Sequence, residues 1–126
     1  EPYVVDGAGS IQAKMAKHIK ESKPEENPKV EAARLAFGEA LMIIPQTLAE
    51  SAGMDIMDAT VKMANNPELG VDVNGMTLRE MEVFEPLAVV SSAMSSAVEN
   101  GVSLLRTHSI VMAKPIQEIF GERANE

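Results

Sequence analysis

The sequence contains no cysteine, no tryptophan and only two histidines. Without cysteine, the chain forms no disulfide bond and supports no thiol chemistry. The two histidines, His18 and His108, lie far apart and have no carboxylate at the spacing of a metal site. A Ser-His-Asp arrangement cannot be argued from histidines in these positions. The sequence therefore indicates no catalytic residue and no metal site.

Aromatic residues are also scarce, with one tyrosine and three phenylalanines among 126 residues. Hydrophobic residues still make up 45% of the chain, which is enough for a core. That core must be aliphatic and rich in methionine, of which there are nine. Because the methionine side chain is unbranched and polarizable, this composition predicts adaptable packing. The length predicts one domain at most.

Basic residues are outnumbered, since 11 Lys and Arg stand against 19 Asp and Glu and give a net charge of −8. Such a surface repels phosphate backbones, so nucleic acid is not expected as a partner. No apolar run approaches the roughly 18 residues of a membrane span, and no signal sequence opens the chain. We therefore expect a soluble, cytoplasmic protein with neither nucleic acid nor membrane as partner.

The start of the chain predicts a short strand, a turn and a helix. Residues 3–5 are β-prone, and Gly7, Ala8 and Gly9 form a flexible turn, which we call the glycine turn. Ser10 is expected to cap a helix over residues 11–21. Two prolines and several charges then predict a solvated loop.

The middle of the chain predicts two helices. Residues 30–51 are helical in composition, and residues 35–48 are apolar on most sides, as in a central, largely buried helix. Pro45 lacks a backbone N–H and predicts a kink just before it. Gly53 is expected to end this helix. Asp55 is expected to cap the next, which ends near residues 65–67.

The last part of the chain predicts a hairpin and a long helix. The dipeptide Asn74-Gly75 favours a type I′ turn in a hairpin that begins at residues 70–73. Pro86 is well placed as the first residue of the last long helix, and residues 110–112 favour a terminal strand. The predicted fold class is mainly α, a helical bundle with one or two short β-hairpins.

Three features are candidates for contact with a ligand. The glycine turn leads directly into a helix amino terminus, where close backbone approach and free N–H groups favour anions. Asp72 lies in the hairpin and Glu85 just before a helix, where carboxylates can accept hydrogen bonds from sugar hydroxyls. Each also has a plain structural interpretation, as a simple turn, a solvated hairpin residue and a helix cap. The residues alone leave both interpretations open.

Several runs of the sequence, taken in order, resemble group II chaperonin subunits (the thermosome and TCP-1 ring complex). Residues 4–10 read VVDGAGS, similar to the family's VVPGGGA. Residues 40–55 read ALMIIPQTLAESAGMD, similar to ALxxIPxTLAENAGxD, and this is the longest match. Shorter matches follow in the family's order, GVDV at 70–73, VFEP at 83–86 and LLR at 104–106. The run IVMAKP at 110–115 is similar to the theta-type subunit.

The resemblance implies that residues 1–115 are the carboxy-terminal half of a chaperonin equatorial (ATP-binding) domain and that residues 116–126 are a tail. It also implies nucleotide contacts at six residues. Gly7, Ala8 and Gly9 would lie against the ribose, Asp72 and Val73 near the adenine, and Glu85 would accept hydrogen bonds from the ribose hydroxyls. Residues 110–112 would form a strand at the subunit contact.

The same resemblance implies ATP-driven protein folding by a double ring. The partners would be other chaperonin subunits, and unfolded protein substrates bound through domains that this chain lacks. The full subunit would bind ATP or ADP with magnesium, whose ligands belong to segments outside this chain. The parent subunit would be an ATPase, whereas this chain alone would not hydrolyse ATP.

The chain departs from the family's pattern at the turn itself. Asp6 stands where the family has proline, and Ala8 stands where it has the middle glycine. Ala8 would be strained if that position needs a positive φ, and Asp6 adds negative charge beside an anionic ligand. These departures favour an alternative, a stand-alone chaperonin-like helical interaction module without ATPase activity. A small-molecule enzyme on an unrelated helical fold is a third interpretation, which no catalytic constellation supports.

Overall fold

A computed structural model describes residues 3–107. The chain divides into two compact units, of which the first ends at Val90 and the second begins at Ser91. The described residues are mainly helical, with short two-stranded sheets in the first unit. The predicted fold class is thereby confirmed. His108, the strand predicted at residues 110–112 and the tail lie outside the described residues.

The elements follow one another along the chain with short connections. In order they are β1 (Val4–Asp6), α1 (Ser10–Glu21), α2 (Pro28–Leu41), α3 (Ile43–Ser51), α4 (Ile56–Asn65), β2 (Leu69–Asp72), β3 (Thr77–Glu80), β4 (Phe84–Pro86) and α5 (Leu87–Leu105). β2 and β3 form an antiparallel hairpin, and β1 pairs antiparallel with the distant β4. The helix α5 begins in the first unit and continues into the second.

The core of the first unit is small and aliphatic, as the composition predicts, but the prediction that it is rich in methionine is wrong. Met42 and Met63 are the only methionines among the buried core residues that the structure describes, whereas Met57 and Met76 are exposed. The buried apolar side chains of the core come from all five helices, from the residues that flank α3 and from β2. They are Ala13, Ala16, Leu41, Met42, Ala49, Ala52, Ala59, Met63, Val71 and Val90. Alanine predominates, which allows the helices to approach closely around the fully buried Met63.

The helix α1 forms where it is predicted, but Ser10 is not its cap. Gly9 occupies the N-cap position, and Ser10 is the first helical residue. The Ser10 hydroxyl is buried and donates to the Pro67 carbonyl at 2.7 Å. The prediction of a Ser10 cap is therefore wrong, because this hydroxyl satisfies a carbonyl on the connection from α4 to β2 instead.

The kink before Pro45 is confirmed as a break between α2 and α3 at Met42. Pro45 cannot donate the helical hydrogen bond to the residue four positions before it, and Met42 N–H turns to the Glu39 carbonyl at 3.1 Å. The prediction of a largely buried helix is wrong within this chain. Phe37 is 39% exposed and Ile43 is 58% exposed. These apolar side chains point away from the small core.

The end of α3 and the start of α4 agree with the prediction. Gly53 has a φ of 75° and follows the last residues of α3. Its N–H donates to Glu50 and the N–H of Met54 donates to Ala49, which is the Schellman arrangement. Asp55 then caps α4, since its carboxylate accepts the Asp58 N–H at 2.8 Å.

The hairpin is confirmed, but its predicted type I′ turn is wrong. Residues 73–76 form a four-residue loop between β2 and β3. The positive φ, 49°, falls on Met76 rather than on Asn74 or Gly75. The Asp72 carboxylate accepts both the Asn74 and the Gly75 N–H groups. A side chain that bonds its own turn in this way is an alternative to the two-residue turn.

Pro86 is the last residue of β4 rather than the first residue of α5. It lies opposite Val4 in the β1–β4 ladder. The next residue, Leu87, donates its N–H to the Tyr3 carbonyl at 2.9 Å. Because Pro86 pairs with β1, about eighty positions earlier in the chain, α5 begins one residue later than predicted, at Leu87.

Candidate functional site

The glycine turn joins β1 to α1 and forms backbone hydrogen bonds with two distant segments of the chain. The Gly7 N–H donates to the Val83 carbonyl at 2.8 Å, just before β4. The Ala8 carbonyl accepts the Val71 N–H of β2 at 2.9 Å. Segments that are far apart in the sequence therefore meet at this turn.

Two residues of the turn have left-handed backbone conformations, with a φ of 55° at Ala8 and 85° at Gly9. Gly9 also packs directly on α3. A Cβ atom added to Gly9 would lie 2.9 Å from the Pro45 Cβ atom and 3.1 Å from its Cα atom. Glycine is therefore required at position 9 by conformation and by space, whereas Ala8 adopts a positive φ with a side chain present.

The glycine turn and the hairpin are also in close contact, between Ala8 and Gly70. A Cβ atom added to Gly70 would lie 2.9 Å from the Ala8 Cβ atom. The Ala8 side chain therefore occupies the space beside Gly70. The turn and β2 remain in contact because one of the two facing residues is glycine.

Glu85 lies beside the turn because of the β1–β4 ladder. Val5 is its register partner, so the carboxylate is carried by the strand that runs next to the turn. The side chain is half-buried, and a Cβ atom added to Gly7 would lie 3.3 Å from the Glu85 Cγ atom. The structure thus places the Glu85 side chain next to Gly7.

Asp72 is mostly buried, and its carboxylate is occupied inside the hairpin. Oδ2 accepts from Arg79 Nε at 2.6 Å, and Oδ1 accepts from the backbone of Asn74 and Gly75. Arg79 first, and then the Gly75 N–H, hold the pKa of Asp72 below its ordinary value. The neighbouring Val73 is 51% exposed. Asp72 therefore holds the loop in shape, while Val73 presents an apolar side chain to the outside.

A cavity of about 330 Å³ opens beside the turn. It is lined by Asp6, Gly7, Ser10, Glu68, Gly70, Glu80, Met81 and Glu82. Four of these residues are acidic, and Gly7 is the one among them that the sequence predicts at a site. Sequence reasoning missed Glu68, Glu80 and Glu82, because they come from separate segments whose spacing gives no signal.

Lys14 lies beside this cavity and pairs with two of its carboxylates. Its Nζ atom is 2.5 Å from Asp6 Oδ2 and 2.7 Å from Glu68 Oε2. Hydrogen bonds to Asp6 and then to Glu68 raise the pKa of Lys14 above its ordinary value, so it stays charged at neutral pH. Lys14 connects the end of β1, the first turns of α1 and the connection before β2. No motif in the sequence indicates this cluster.

The remaining polar groups give no further chemical site within the described part of the chain. His18 is exposed on α1. No group of three His, Asp or Glu residues is placed to hold a metal ion among residues 3–107. Within the same residues, no helix has both the length and the apolar character needed to cross a membrane.

Comparisons with known proteins give one consistent result. The model of the TCP-1/cpn60 chaperonin family matches residues 1–115. The chain is 37% identical to thermosome subunit beta of Archaeoglobus fulgidus, over 94% of this chain and 23% of that protein. It is 33% identical to the thermosome subunit of Methanocaldococcus jannaschii, over 93% of this chain and 23% of the relative. The chain thus spans about a quarter of the length of the curated relatives it matches.

A solved structure agrees with these relatives. The open-state monomer of a group II chaperonin from Methanococcoides burtonii matches with a TM-score of 0.71 and 30% sequence identity. The match covers 82% of this chain and 28% of that one. Sequence and fold therefore agree over most of the chain.

Proposed function

The chain belongs to the TCP-1/cpn60 chaperonin family, and from this we propose that it is the carboxy-terminal half of the equatorial, ATP-binding domain of a group II chaperonin subunit. In this proposal residues 1–115 form the half-domain and residues 116–126 form a tail. The parent subunit couples ATP to protein folding in a double ring. This chain supplies contacts on the ribose and adenine side of the nucleotide, together with ring contacts.

The observation that carries the proposal is the convergence of two distant segments, β2 and the residues at β4, on the glycine turn. Val83, next to β4, accepts a hydrogen bond from Gly7, and Val71 of β2 donates one to Ala8. The same β4 carries Glu85, the residue proposed to accept hydrogen bonds from the ribose hydroxyls. A site for one small ligand requires this kind of meeting between distant segments.

Within this site each proposed contact residue has a definite task. The backbone of Gly7, Ala8 and Gly9 lies against the ribose, where the narrow turn allows close approach. Val73, which is exposed at the hairpin loop, covers the adenine. Asp72 lies near the adenine too and keeps the loop in place through its bonds with Arg79 and the loop N–H groups.

The described residues of this chain provide no site for magnesium and none for the phosphate that is transferred in hydrolysis. The cavity beside the turn carries four carboxylates, which repel phosphate oxygens. Among residues 3–107, no three His, Asp or Glu side chains are grouped so that they could hold a metal ion. Phosphoryl transfer depends on a metal and on positioned groups around the phosphates. We therefore assign hydrolysis to parts of the parent subunit outside this chain, and derive no hydrolytic step from these residues.

The proposed partners follow from the same assignment. They are other chaperonin subunits in the ring, and unfolded proteins that bind through domains outside this chain. The compartment is the cytoplasm, and the run IVMAKP at residues 110–115 favours a theta-type subunit.

A second candidate function is a stand-alone chaperonin-like interaction module that binds no nucleotide. The acidic lining of the cavity beside the turn favours it, since Asp6, Glu68, Glu80 and Glu82 all oppose an anion there. Nucleotide binding separates the two candidates.

The test is ADP binding by the native gene product that carries this chain, measured by isothermal titration calorimetry. We expect one ADP per polypeptide. Substitution Glu85→Gln should weaken ADP binding roughly ten- to a hundredfold, because hydrogen bonds to a charged acceptor contribute about 1.5–3 kcal/mol. The control Glu50→Gln changes an exposed carboxylate on α3 and should leave the affinity unchanged.

A native product that binds no ADP would overturn the nucleotide assignment and support the interaction module. Equal ADP affinities for the wild type and Glu85→Gln would instead remove Glu85 from the site and leave nucleotide binding intact.

A further inference from the structure

The glycine turn has an unusual electrostatic setting for a nucleotide-binding turn. Asp6 immediately precedes it, and Glu68, Glu80 and Glu82 line the same cavity. Like charges in so small a space raise the free energy of an approaching anion, most strongly at low ionic strength. An ADP molecule bound at the turn would therefore need a compensating cation close by.

Among the described residues, the ammonium group of Lys14 is the cation that lies closest to the acidic residues of this cavity and can offset their negative charge. Its Nζ atom lies within 2.7 Å of carboxylate oxygens of both Asp6 and Glu68, and its side chain is 27% exposed. One ammonium group thus offsets charge on two sides of the cavity while partly excluded from water. The raised pKa of Lys14 keeps this group charged throughout the physiological range.

The other cations that form ion pairs among the described residues pair with carboxylates outside this cavity. Arg79 is bonded to Asp72 in the hairpin at 2.6 Å. Arg34 pairs with Glu31 on α2, and Lys62 pairs with Asp58 on α4. Lys17 lies 3.9 Å from Glu21 on α1. The carboxylates that face these cations do not line the cavity beside the turn. Among the paired cations of the described residues, Lys14 is therefore the one whose partners, Asp6 and Glu68, lie in that cavity.

We infer that Lys14 is a specificity-determining residue, which offsets the charge of Asp6 and Glu68 and so admits an anionic nucleotide to the glycine turn. This inference rests on the proposed nucleotide function. It explains how a turn preceded by aspartate, where the family has proline, accepts an anion. Lys14 acts through the carboxylates and is not itself required to touch the ligand.

The test compares ADP with uncharged adenosine as probes of the native gene product. Substitution Lys14→Met leaves Asp6 and Glu68 uncompensated and should weaken ADP binding roughly five- to tenfold at low ionic strength. Adenosine binding should stay within about twofold, since it carries no charge for the carboxylates to repel. High salt should remove most of the ADP effect.

The second substitution is Asp6→Asn, which removes the negative charge next to the glycine turn. When Asp6→Asn is added to Lys14→Met, the double variant should recover most of the ADP affinity that the single variant Lys14→Met loses. The Lys14–Asp6 ion pair is absent from both variants, so the recovery would come from the removed negative charge. The matched control is Lys62→Met, which breaks the Lys62–Asp58 pair of 2.6 Å on the exposed surface of α4. ADP affinity should not change in that control.

Two outcomes would overturn the inference while leaving the proposed function intact. In the first, Lys14→Met binds ADP as tightly as the wild type. In the second, it loses ADP and adenosine equally and is not rescued by Asp6→Asn, which would mean that Lys14 only holds the fold. A wild-type product that binds neither ligand would refute the proposed function itself, and the inference with it.

Discussion

At the residue scale, the backbone of Ala8 offers a direct test of strain in the glycine turn. A left-handed conformation costs a non-glycine residue about 1–2 kcal/mol, and Ala8 has a φ of 55°. Ala8→Gly should therefore raise the free energy of unfolding by about 1 kcal/mol, after the greater chain entropy of glycine is subtracted. Urea unfolding followed by circular dichroism measures it.

The control for this substitution is Ala32→Gly on the exposed side of α2. There the helical φ is negative, so glycine should lower the free energy of unfolding by about 0.5–1 kcal/mol. If Ala8→Gly destabilised the protein as much as the control, the left-handed conformation at position 8 would be refuted.

Glu31 gives a second residue-scale prediction, on pH. Two hydrogen bonds from Arg34 and one from the Glu25 N–H reach its carboxylate, each at 2.9 Å. Arg34 first, and then the Glu25 N–H, lower the pKa of Glu31 from 4.5 to about 2. Because the folded pKa lies below the unfolded one, this stabilisation is complete above about pH 4.5 and disappears as the pH falls towards 2.

Urea unfolding of the wild type and of Glu31→Gln, at several pH values between 6 and 2, should show this directly. The wild type should be the more stable protein near neutral pH, and the difference should shrink as the pH falls. Two curves that stay parallel through this range would contradict the assigned pKa.

At the element scale, the end of α3 depends on one glycine. Gly53 has a φ of 75°, and a Cβ atom added there would meet no heavy atom within 4 Å. The cost of Gly53→Ala is therefore conformational, and we expect the free energy of unfolding to fall by about 1 kcal/mol.

Gly101 provides the opposite case for comparison. It lies inside α5, and an added Cβ atom there also meets no heavy atom within 4 Å. Gly101→Ala should increase helicity and should not destabilise the protein, because alanine is the better helix former by about 1 kcal/mol. Thermal unfolding of both variants should show opposite signs, and equal signs would refute the Schellman ending of α3.

The helices are the part of the fold that the sequence predicts best, because their signals are local. Pro45 lacks an N–H, Gly53 takes a left-handed φ and Asp55 caps α4, and each acts within a few residues of itself. The β1–β4 ladder has no such signal, since each strand has three residues and its partner is distant. Residue patterns alone therefore could not place Glu85 beside the turn.

In the candidate site too, features with a local signal could be predicted from the sequence, and contacts between distant segments could not. The resemblance to group II chaperonins suggested the glycine turn and Glu85, which the structure brings together. The type I′ prediction from Asn74-Gly75 failed because the Asp72 carboxylate accepts the N–H groups of the loop, and its other oxygen pairs with Arg79 of β3. The pairing of Lys14 with Glu68 spans 54 positions and left no trace in any motif.

At the scale of the whole molecule, exposed apolar side chains predict self-association of the isolated chain. Met57 on α4 is 73% exposed and Ile43 on α3 is 58% exposed. Large apolar patches on a soluble protein usually mark contact surfaces. We expect the isolated chain to associate as its concentration rises, measured by sedimentation velocity. A monodisperse monomer with one cooperative melting transition would count against this and favour the stand-alone module.

The variants Ile43→Ser and Met57→Ser should weaken that association. Thr47→Ser, an exposed polar change on α3, should leave it unaltered. If all three variants associate as the wild type does, these two side chains do not form the contact.

The most direct test of the central claim is the length of the native polypeptide, found by denaturing gel electrophoresis and an antibody against this segment. Since the chain spans 23% of its Archaeoglobus relative, we predict a product about four times as long. That result would place the chain within a full chaperonin subunit. A product of about 126 residues would contradict the claim and leave the stand-alone module as the better description.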